Sequence, residues 1–377
     1  MHLTPPDNPR KLLATLLGEG VRQGAFPGAS AAVIRGYGPE QNLIMATAGT
    51  TRLDNRARAV RPETFFDLAS LSKPLATTLL LFDSMEQGIL TPASRYGELC
   101  SRPVPDEKRE ITVGQLLCHA SGLPAYHPYY RDIAPVPKPA HRDKILEIIL
   151  REPLAYQPGG ECQYSDLGFL LLGDLLEEVT KMRLNELFRK RIAQPLGLEK
   201  EIFYMPLVGQ SPLYRDDRFA ATEDCAWRNR TLQGEVHDEH CFLLGGVSGH
   251  AGLFGTVRAV ALLCGAILKT WQGRSTALPI SPALLQQALR PQLPGQTWRL
   301  GFDAPSPTGY SSAGQRLSRG SVGHLGYAGT SFWIDPDHQI IIVLLTNRVH
   351  PSRKNTKIRE FRPWFHDRIM EYFFPAR

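Results

Sequence analysis

Ser70 and Lys73 stand three residues apart inside an otherwise apolar run, FFDLASLSKPLATTLLLF (65–82). A serine hydroxyl is a weak nucleophile and needs a base within hydrogen-bond reach. A lysine serves as that base only when neutral. Holding it neutral near pH 7, against a usual pKa near ~10.4, costs about 4 kcal/mol. Apolar walls and a second cation supply such a shift, and Leu68, Leu71 and Leu75 are the candidate walls. Ser-x-x-Lys occurs once in the chain. Its flanks are core-like, where an idle ammonium is costly to desolvate. The plainer reading of the pair is a helix cap and a surface charge. A helix starting just after Ser70 sets Leu71, Leu75, Leu79 and Phe82 on one apolar face. It puts Pro74 in the first turn, where a missing N–H costs little. It also makes Ser70 the cap, beside the positive end of the helix, which favours an oxyanion.

Two later stretches hold the further groups such chemistry needs. PGGECQYSDLGFLLLGDLL (158–176) puts Tyr164, Ser165 and Asp166 directly before an amphipathic helix. GHLGYAGTSFWIDP (323–336) puts His324, Leu325 and Gly326 at the edge of a strand. Taken singly, Tyr164 reads equally as a packed aromatic, Asp166 as a helix N-cap and His324 as a structural histidine.

Ser-x-x-Lys, Tyr-x-Asp and His-x-Gly in this order resemble the motifs of the serine β-lactamase-like hydrolases. That family includes class C β-lactamases, penicillin-binding DD-peptidases and carboxylesterases of the same fold. The flanks CHASGLP (118–124), GHAGLFGTVRAV (249–260) and VLLTNRVHP (343–351) are similar too, so the resemblance covers about residues 25–350. It implies an acyl-enzyme on Ser70, with Lys73 and Tyr164 sharing the proton traffic as one titrating unit. It implies an oxyanion hole made by the backbone N–H groups of Ser70 and Tyr327. His324 would line the site opposite Lys73, and Asp166, Leu325 and Gly326 would meet the substrate, Gly326 by allowing close backbone approach. No metal and no organic cofactor is implied.

The chain departs from the pattern at three positions. Many relatives carry Lys-Thr-Gly or Lys-Ser-Gly as the third motif, where cation and hydroxyl hold a substrate carboxylate. Here Leu325 cannot donate a hydrogen bond, His324 is mostly neutral at pH 7, and Asp166 replaces the commoner Asn. The expectation is hydrolysis of a small ester, amide or peptide with weak or no β-lactamase activity. The alternatives are a D-amino-acid peptidase or β-lactamase, and a non-catalytic scaffold on the same fold. In GEVHDEHCFLLGGVSGHAGLFG (234–255), His237, His240 and His250 raise a metal site as a rival. The Gly-rich tail reads as loop, and a role shaping the cleft beside Ser70 is the preferred reading.

The elements that must position these groups follow from hydrophobic patterning. Residues 29–36 and 42–49 read as early strands around a Gly/Pro/Asn turn, and 331–335 and 339–346 as late strands joined by DPDH. Helical patterns fill 71–87, 111–118, 143–151, 166–180, 183–192, 256–270 and 361–373. Residues 194–254 read as elaborated loops. This predicts an α/β fold of the β-lactamase/transpeptidase type, with a mostly antiparallel sheet built from both chain ends. Residues 1–69 and 245–377 would form the sheet-bearing part and 70–244 a helical insertion, with the cleft at the junction.

The 377 residues are 42% hydrophobic and 21% charged, enough for a sizeable core. The net charge of +6 is dispersed, and its densest run, RVHPSRKNTKIREFR (348–362), carries no nucleic-acid motif. No window reaches the roughly 18–20 apolar residues of a membrane span, and the N-terminal stretch lacks a secretory pattern. Both favour a cytoplasmic protein with no membrane span, and the dispersed charge favours no nucleic-acid partner. The six cysteines show no Cys-x-x-Cys pairing and read as reduced thiols. No G-x-S-x-G elbow, H-E-x-x-H or P-loop is present.

Overall fold

The computed structural model describes residues 8–36, 43–133, 138–207 and 216–375. Its centre is a five-stranded antiparallel sheet of β1 (Gly28–Arg35), β2 (Leu43–Gly49), β3 (Val322–Leu325), β4 (Ser331–Asp335) and β5 (Ile340–Thr346), in the order β2-β1-β5-β4-β3. Both chain ends therefore meet in one sheet, with Ala29 opposite Thr346 and Arg35 opposite Ile340. The pleat sends alternate residues to opposite faces. Ala29, Ala31, Val33, Ile340, Ile342 and Leu344 face one core, while Ala32, Ile34, Ile341, Val343 and Leu345 face the other. Because helices cover both faces, β5 is buried at all seven positions. Its unbroken IIIVLLT run needs no polar alternation.

The first face is covered by helices α1 (Pro9–Arg22) and α5 (Ile358–Phe373). Helix α1 had no counterpart in the predicted elements. Asn8 caps it by accepting from the Arg10 N–H at 2.8 Å, Pro9 opens it, and Leu12, Leu13, Leu16 and Leu17 form its buried stripe. Helix α4 (Val257–Trp271) lies against the other face. Its core continues without a break into the helices of the middle chain, including α2 (Leu79–Glu86) and α3 (Asp166–Thr180). The turn expected between β1 and β2, and part of the 194–254 loop region, lie outside the described residues. The cysteines are free thiols, all buried except the half-buried Cys162. Among the described residues no helix is long and apolar enough to cross a membrane.

The run around Ser70 departs from the regular helix expected there. A 3-10 turn over Ala69–Leu71 leads into a π-helical segment, Lys73–Thr78, before α2 begins. Ser70 lies inside the first turn and is not a cap; the residue at that place is Leu68, which makes no side-chain cap bond. Pro74 has no N–H to give a regular ladder, and wide π turns of this kind recur at functional sites. The apolar spacing holds nonetheless, since Leu71, Leu75, Leu79 and Phe82 are fully buried. Each such side chain contributes about 1.5–3 kcal/mol.

Candidate active site

Asp67 ends the short strand Phe66–Asp67 and organises the turn after it. Its buried carboxylate accepts from the Ala69 N–H at 2.8 Å and from the His237 N–H at 2.7 Å. Ala69 is left-handed, with φ of 49°, a conformation costly for a residue with a Cβ. The Ser72 hydroxyl closes the same turn, donating to the Ala69 carbonyl at 2.7 Å and accepting from the Leu253 N–H at 3.1 Å. This bracing fixes the turn that carries the half-buried Ser70.

Lys73 is fully buried, and its Nζ lies 3.1 Å from Ser70 Oγ. It donates to the Tyr164 hydroxyl at 2.6 Å, to Asp166 Oδ1 at 2.6 Å and to the His250 carbonyl at 3.2 Å. The Tyr164 hydroxyl in turn donates to Ser70 Oγ at 2.8 Å. Burial lowers the Lys73 pKa, and the Asp166 carboxylate opposes that shift without cancelling it. Burial and then Asp166 raise the Tyr164 pKa well above its usual value, so Tyr164 is a neutral phenol near pH 7. An amine eased toward its neutral form, beside a hydroxyl and a phenol, can pass a proton between them. The apolar walls expected from leucines are aromatic here: Nζ sits 4.9 Å from the Tyr164 ring centroid and 5.7 Å from that of Phe169. Leu68, Leu71 and Leu75 lie in the core behind.

Asp166 is not the helix cap. Ser165 holds that place, accepting from the Gly168 N–H at 3.3 Å, and Asp166 in the first turn is free to reach Lys73. Asp166→Asn removes the charge that opposes the shift on Lys73. The acidic limb of kcat/KM will then move to lower pH; an unmoved limb, or one moved upward, contradicts the assigned pairing.

His324 lines the site without bonding to Ser70, Lys73 or Tyr164. Its Nδ1–H donates to the Leu325 carbonyl at 2.8 Å, and its ring lies 6.0 Å from that of Tyr164. Burial, with Lys73 adding to it, pushes its pKa down to about 3, so the ring is uncharged. The Leu325 side chain packs against the core under α5, and its carbonyl accepts from the His324 ring. A Cβ on Gly326 would strike the Thr330 hydroxyl and come within 2.7 Å of the Leu68 carbonyl. The close approach that this glycine permits is therefore to the Ser70 turn. Tyr327 stands half-exposed at the mouth, stacked on His237 with 5.7 Å between ring centroids. Outside the helices and strands, no backbone carbonyl among the described residues accepts from its N–H or from that of Ser70.

Sequence reasoning missed four contributors. His119 and Trp298 complete the wall, with ring centroids 4.3 Å apart and 4.8 and 5.7 Å from Tyr164. The Ser165 N–H donates to His119 Nδ1, and burial drives the His119 pKa well down, so it adds no cation. Asp67 and the His250 carbonyl are the others. The carbonyl reaches Lys73 because the 249–250 loop crosses α3 closely: a Cβ on Gly249 would strike the Phe169 carbonyl and lie 2.8 Å from Gly173 Cα. Gly249→Ala is expected to cost about 1–3 kcal/mol or more, read as a lowered urea midpoint at unchanged m-value. A wild-type midpoint contradicts that account of the crossing.

The three histidines considered for a metal have separate partners. His237 meets Glu223 at 3.1 Å, and His250 lies between Ser248 at 2.6 Å and Asp238 at 2.8 Å. His240 packs among the rings of Tyr126, Tyr129 and Tyr130. No group of three or more His, Cys, Asp or Glu that could hold a metal ion occurs among the described residues.

This geometry can be set beside known proteins. The family model described as Beta-lactamase matches residues 13–362. The chain belongs to the beta-lactamase family. A relative, "N-acetylmuramyl-L-alanine amidase" of Bacillus subtilis (strain 168), is 32% identical over 80% of this chain and 71% of its own length. A "Putative D-alanyl-D-alanine carboxypeptidase" of Escherichia coli (strain K12) is 33% identical over 76% and 70%. Among solved structures, "EstCE1, a hydrolase with promiscuous acyltransferase activity" superposes with a TM-score of 0.71 at 22% identity, over 94% of this chain and 98% of that one. The likeness to EstCE1 is one of fold. The α/β architecture of the beta-lactamase family is thus shared across the chain, and the family's hydrolytic character supports an enzyme.

Proposed function

We propose that the protein hydrolyses an ester or amide through an acyl-enzyme on Ser70. The observation that carries this reading is Lys73 Nζ at 3.1 Å from Ser70 Oγ, with the Tyr164 hydroxyl 2.8 Å from the same oxygen. Ser70 Oγ attacks the substrate carbonyl carbon while its proton passes to neutral Lys73. The backbone N–H groups of Ser70 and Tyr327 hold the resulting oxyanion. When the carbon–leaving group bond breaks, Tyr164 gives its proton to the departing alkoxide or amine and is resupplied by Lys73. Water then attacks the Ser70 ester by the same steps in reverse, releasing the acid. His324 and Trp298 wall the site. The division into 1–69 with 245–377, and 70–244, belongs to this proposal, with Ser70 at the start of the second part and Tyr327 in the first.

The scissile group is proposed to lack an adjacent free carboxylate. His324 is neutral, Leu325 offers no side-chain donor, and Asp166 already occupies the buried Lys73. The relatives support a second reading, an amide in a cell-wall peptide, since two of them are named an amidase and a D-alanyl-D-alanine carboxypeptidase. A substrate panel separates these readings: p-nitrophenyl acetate and butyrate, an N-acetylmuramyl-L-alanine amide, a D-alanyl-D-alanine peptide and a chromogenic cephalosporin. The proposal expects kcat/KM for the esters to exceed that for the D-alanyl-D-alanine peptide and the cephalosporin by about 10²-fold or more, the scale on which pocket polarity discriminates, whereas a muramyl amide turned over faster than the esters favours the second reading. Rapid cephalosporin or D-alanyl-D-alanine turnover beside inert esters reverses the assignment.

A further inference from the structure

Arg362 on α5 is a buried guanidinium with no acidic partner among the described residues; it is 7% exposed. Its Nη2 donates to the Gly326 carbonyl at 2.8 Å and to the Thr330 carbonyl at 2.9 Å, and its Nε finds no acceptor. Burying a cation without a carboxylate costs several kcal/mol, which carbonyl dipoles offset only in part. The turn it touches is closed without it. The Gly326 N–H donates to the Thr330 carbonyl at 2.8 Å, and the Gly329 N–H to the Gly326 carbonyl at 3.0 Å. A neutral donor, or none, would suffice to hold this loop.

The Gly326 carbonyl belongs to the same peptide group as the Tyr327 N–H. That bond is trans, since the single cis bond among the described residues is His350–Pro351. In a trans peptide the C=O and N–H point in opposite directions. A cation on the oxygen therefore sits at the far end of the group from the hydrogen, along the peptide dipole. The loop lies against the Ser70 turn, with Gly326 on the Leu68 carbonyl and Ala328 packed on Ala69. The next carbonyl is held the same way, Arg348 donating to Tyr327 O at 2.9 Å from Nε and 2.6 Å from Nη2.

We propose that Arg362 is a positioning residue for acyl transfer: it orients and polarises the Gly326–Tyr327 peptide so that the Tyr327 N–H is a stronger donor to the oxyanion. Hydrogen bonds in a chain strengthen one another, and a charged member does so most. Burial lowers the Arg362 pKa to about 9, which still leaves it a cation at neutral pH. The inference rests on the proposed Ser70 acyl-enzyme.

The test is the infrared carbonyl band of a slow acyl-enzyme, a cinnamoyl ester on Ser70, in wild type, Arg362→Gln and Arg362→Lys. Glutamine keeps an N–H donor without charge and preserves a bridging role; lysine keeps the charge. The band is expected to move to higher frequency in Arg362→Gln, with kcat down about 10–10²-fold and KM nearly unchanged, and Arg362→Lys is expected to restore both. If Arg362→Gln does not fold, Arg362→Lys is read against pH. Burial lowers the pKa of the introduced amine, and the titratable neighbours at that place are Arg348, Tyr310 and His366. The band should rise as that amine loses its proton, and not over the same range in wild type. An acyl band indifferent to residue 362 and to its charge overturns the inference alone. A wild type that forms no Ser70 ester overturns the reading of the site and the inference together.

Discussion

Replacing Ser70 by alanine is expected to lower kcat on any accepted substrate by more than about 10⁴-fold, the scale seen when a serine enzyme loses its nucleophile. The fold will barely register the change. Ser70 caps no helix, and the turn that carries it is braced by Asp67 and Ser72. The hydroxyl contributes bonds to Lys73 and Tyr164, each of which keeps Asp166 as a partner. A net hydrogen bond is worth about 0.5–1.5 kcal/mol, so the urea midpoint moves little. Activity and stability thus separate cleanly, which a globally misfolded variant would not show. A Ser70→Ala protein that retains more than a few per cent of wild-type kcat places the chemistry elsewhere.

Lys73→Met is the second large effect. Removing the base costs about 10²–10⁴-fold in kcat, the usual worth of a positioned general base. Stability is expected to hold or rise. The substitution removes a fully buried charge, and Asp166, left behind, is 19% exposed and can recruit water. Lys73→Arg will not rescue, because a guanidinium stays protonated. The same account fixes the sign of the pH dependence. Lys73 must be neutral to accept the Ser70 proton, so kcat/KM falls as pH drops through its pKa. Burial sets that pKa below the ordinary lysine value, and the acidic limb appears there. Loss of activity with rising pH through the same range, or an active Lys73→Arg, contradicts the assignment.

Much of this site was legible in residue types and order. Ser70 and Lys73 stand out by spacing, Tyr164 and Asp166 only through the ordered resemblance, and the structure places all three partners within about 3 Å of Lys73 Nζ. The apolar helix 166–180 and the apolar run 340–346 were readable because their burial pattern is simple. The 3-10 and π turns around Ser70 were not, because Leu71, Leu75, Leu79 and Phe82 face the core in either geometry. Helix α1 was hidden by a polar, Pro-rich lead-in. The His250 carbonyl carries no side-chain signature at all, and only Gly249 beside it hints at a close crossing. Trp298 lies in a loop without periodicity. Arg362 acts on backbone groups far along the chain, and Asp67 joins the adjacent Ala69 N–H to that of distant His237, so nothing local marks their reach. His324 and Leu325 show the converse: their types were read, but strand alternation and burial decide which atoms face the cleft.

Mass spectrometry after a fluorophosphonate probe tests the central claim most directly. The account predicts one adduct on the folded wild-type protein, mapped to the peptide containing Ser70, formed far more slowly in Lys73→Met and absent in Ser70→Ala. A folded wild type that stays unlabelled, or a label on another serine such as Ser248, contradicts it.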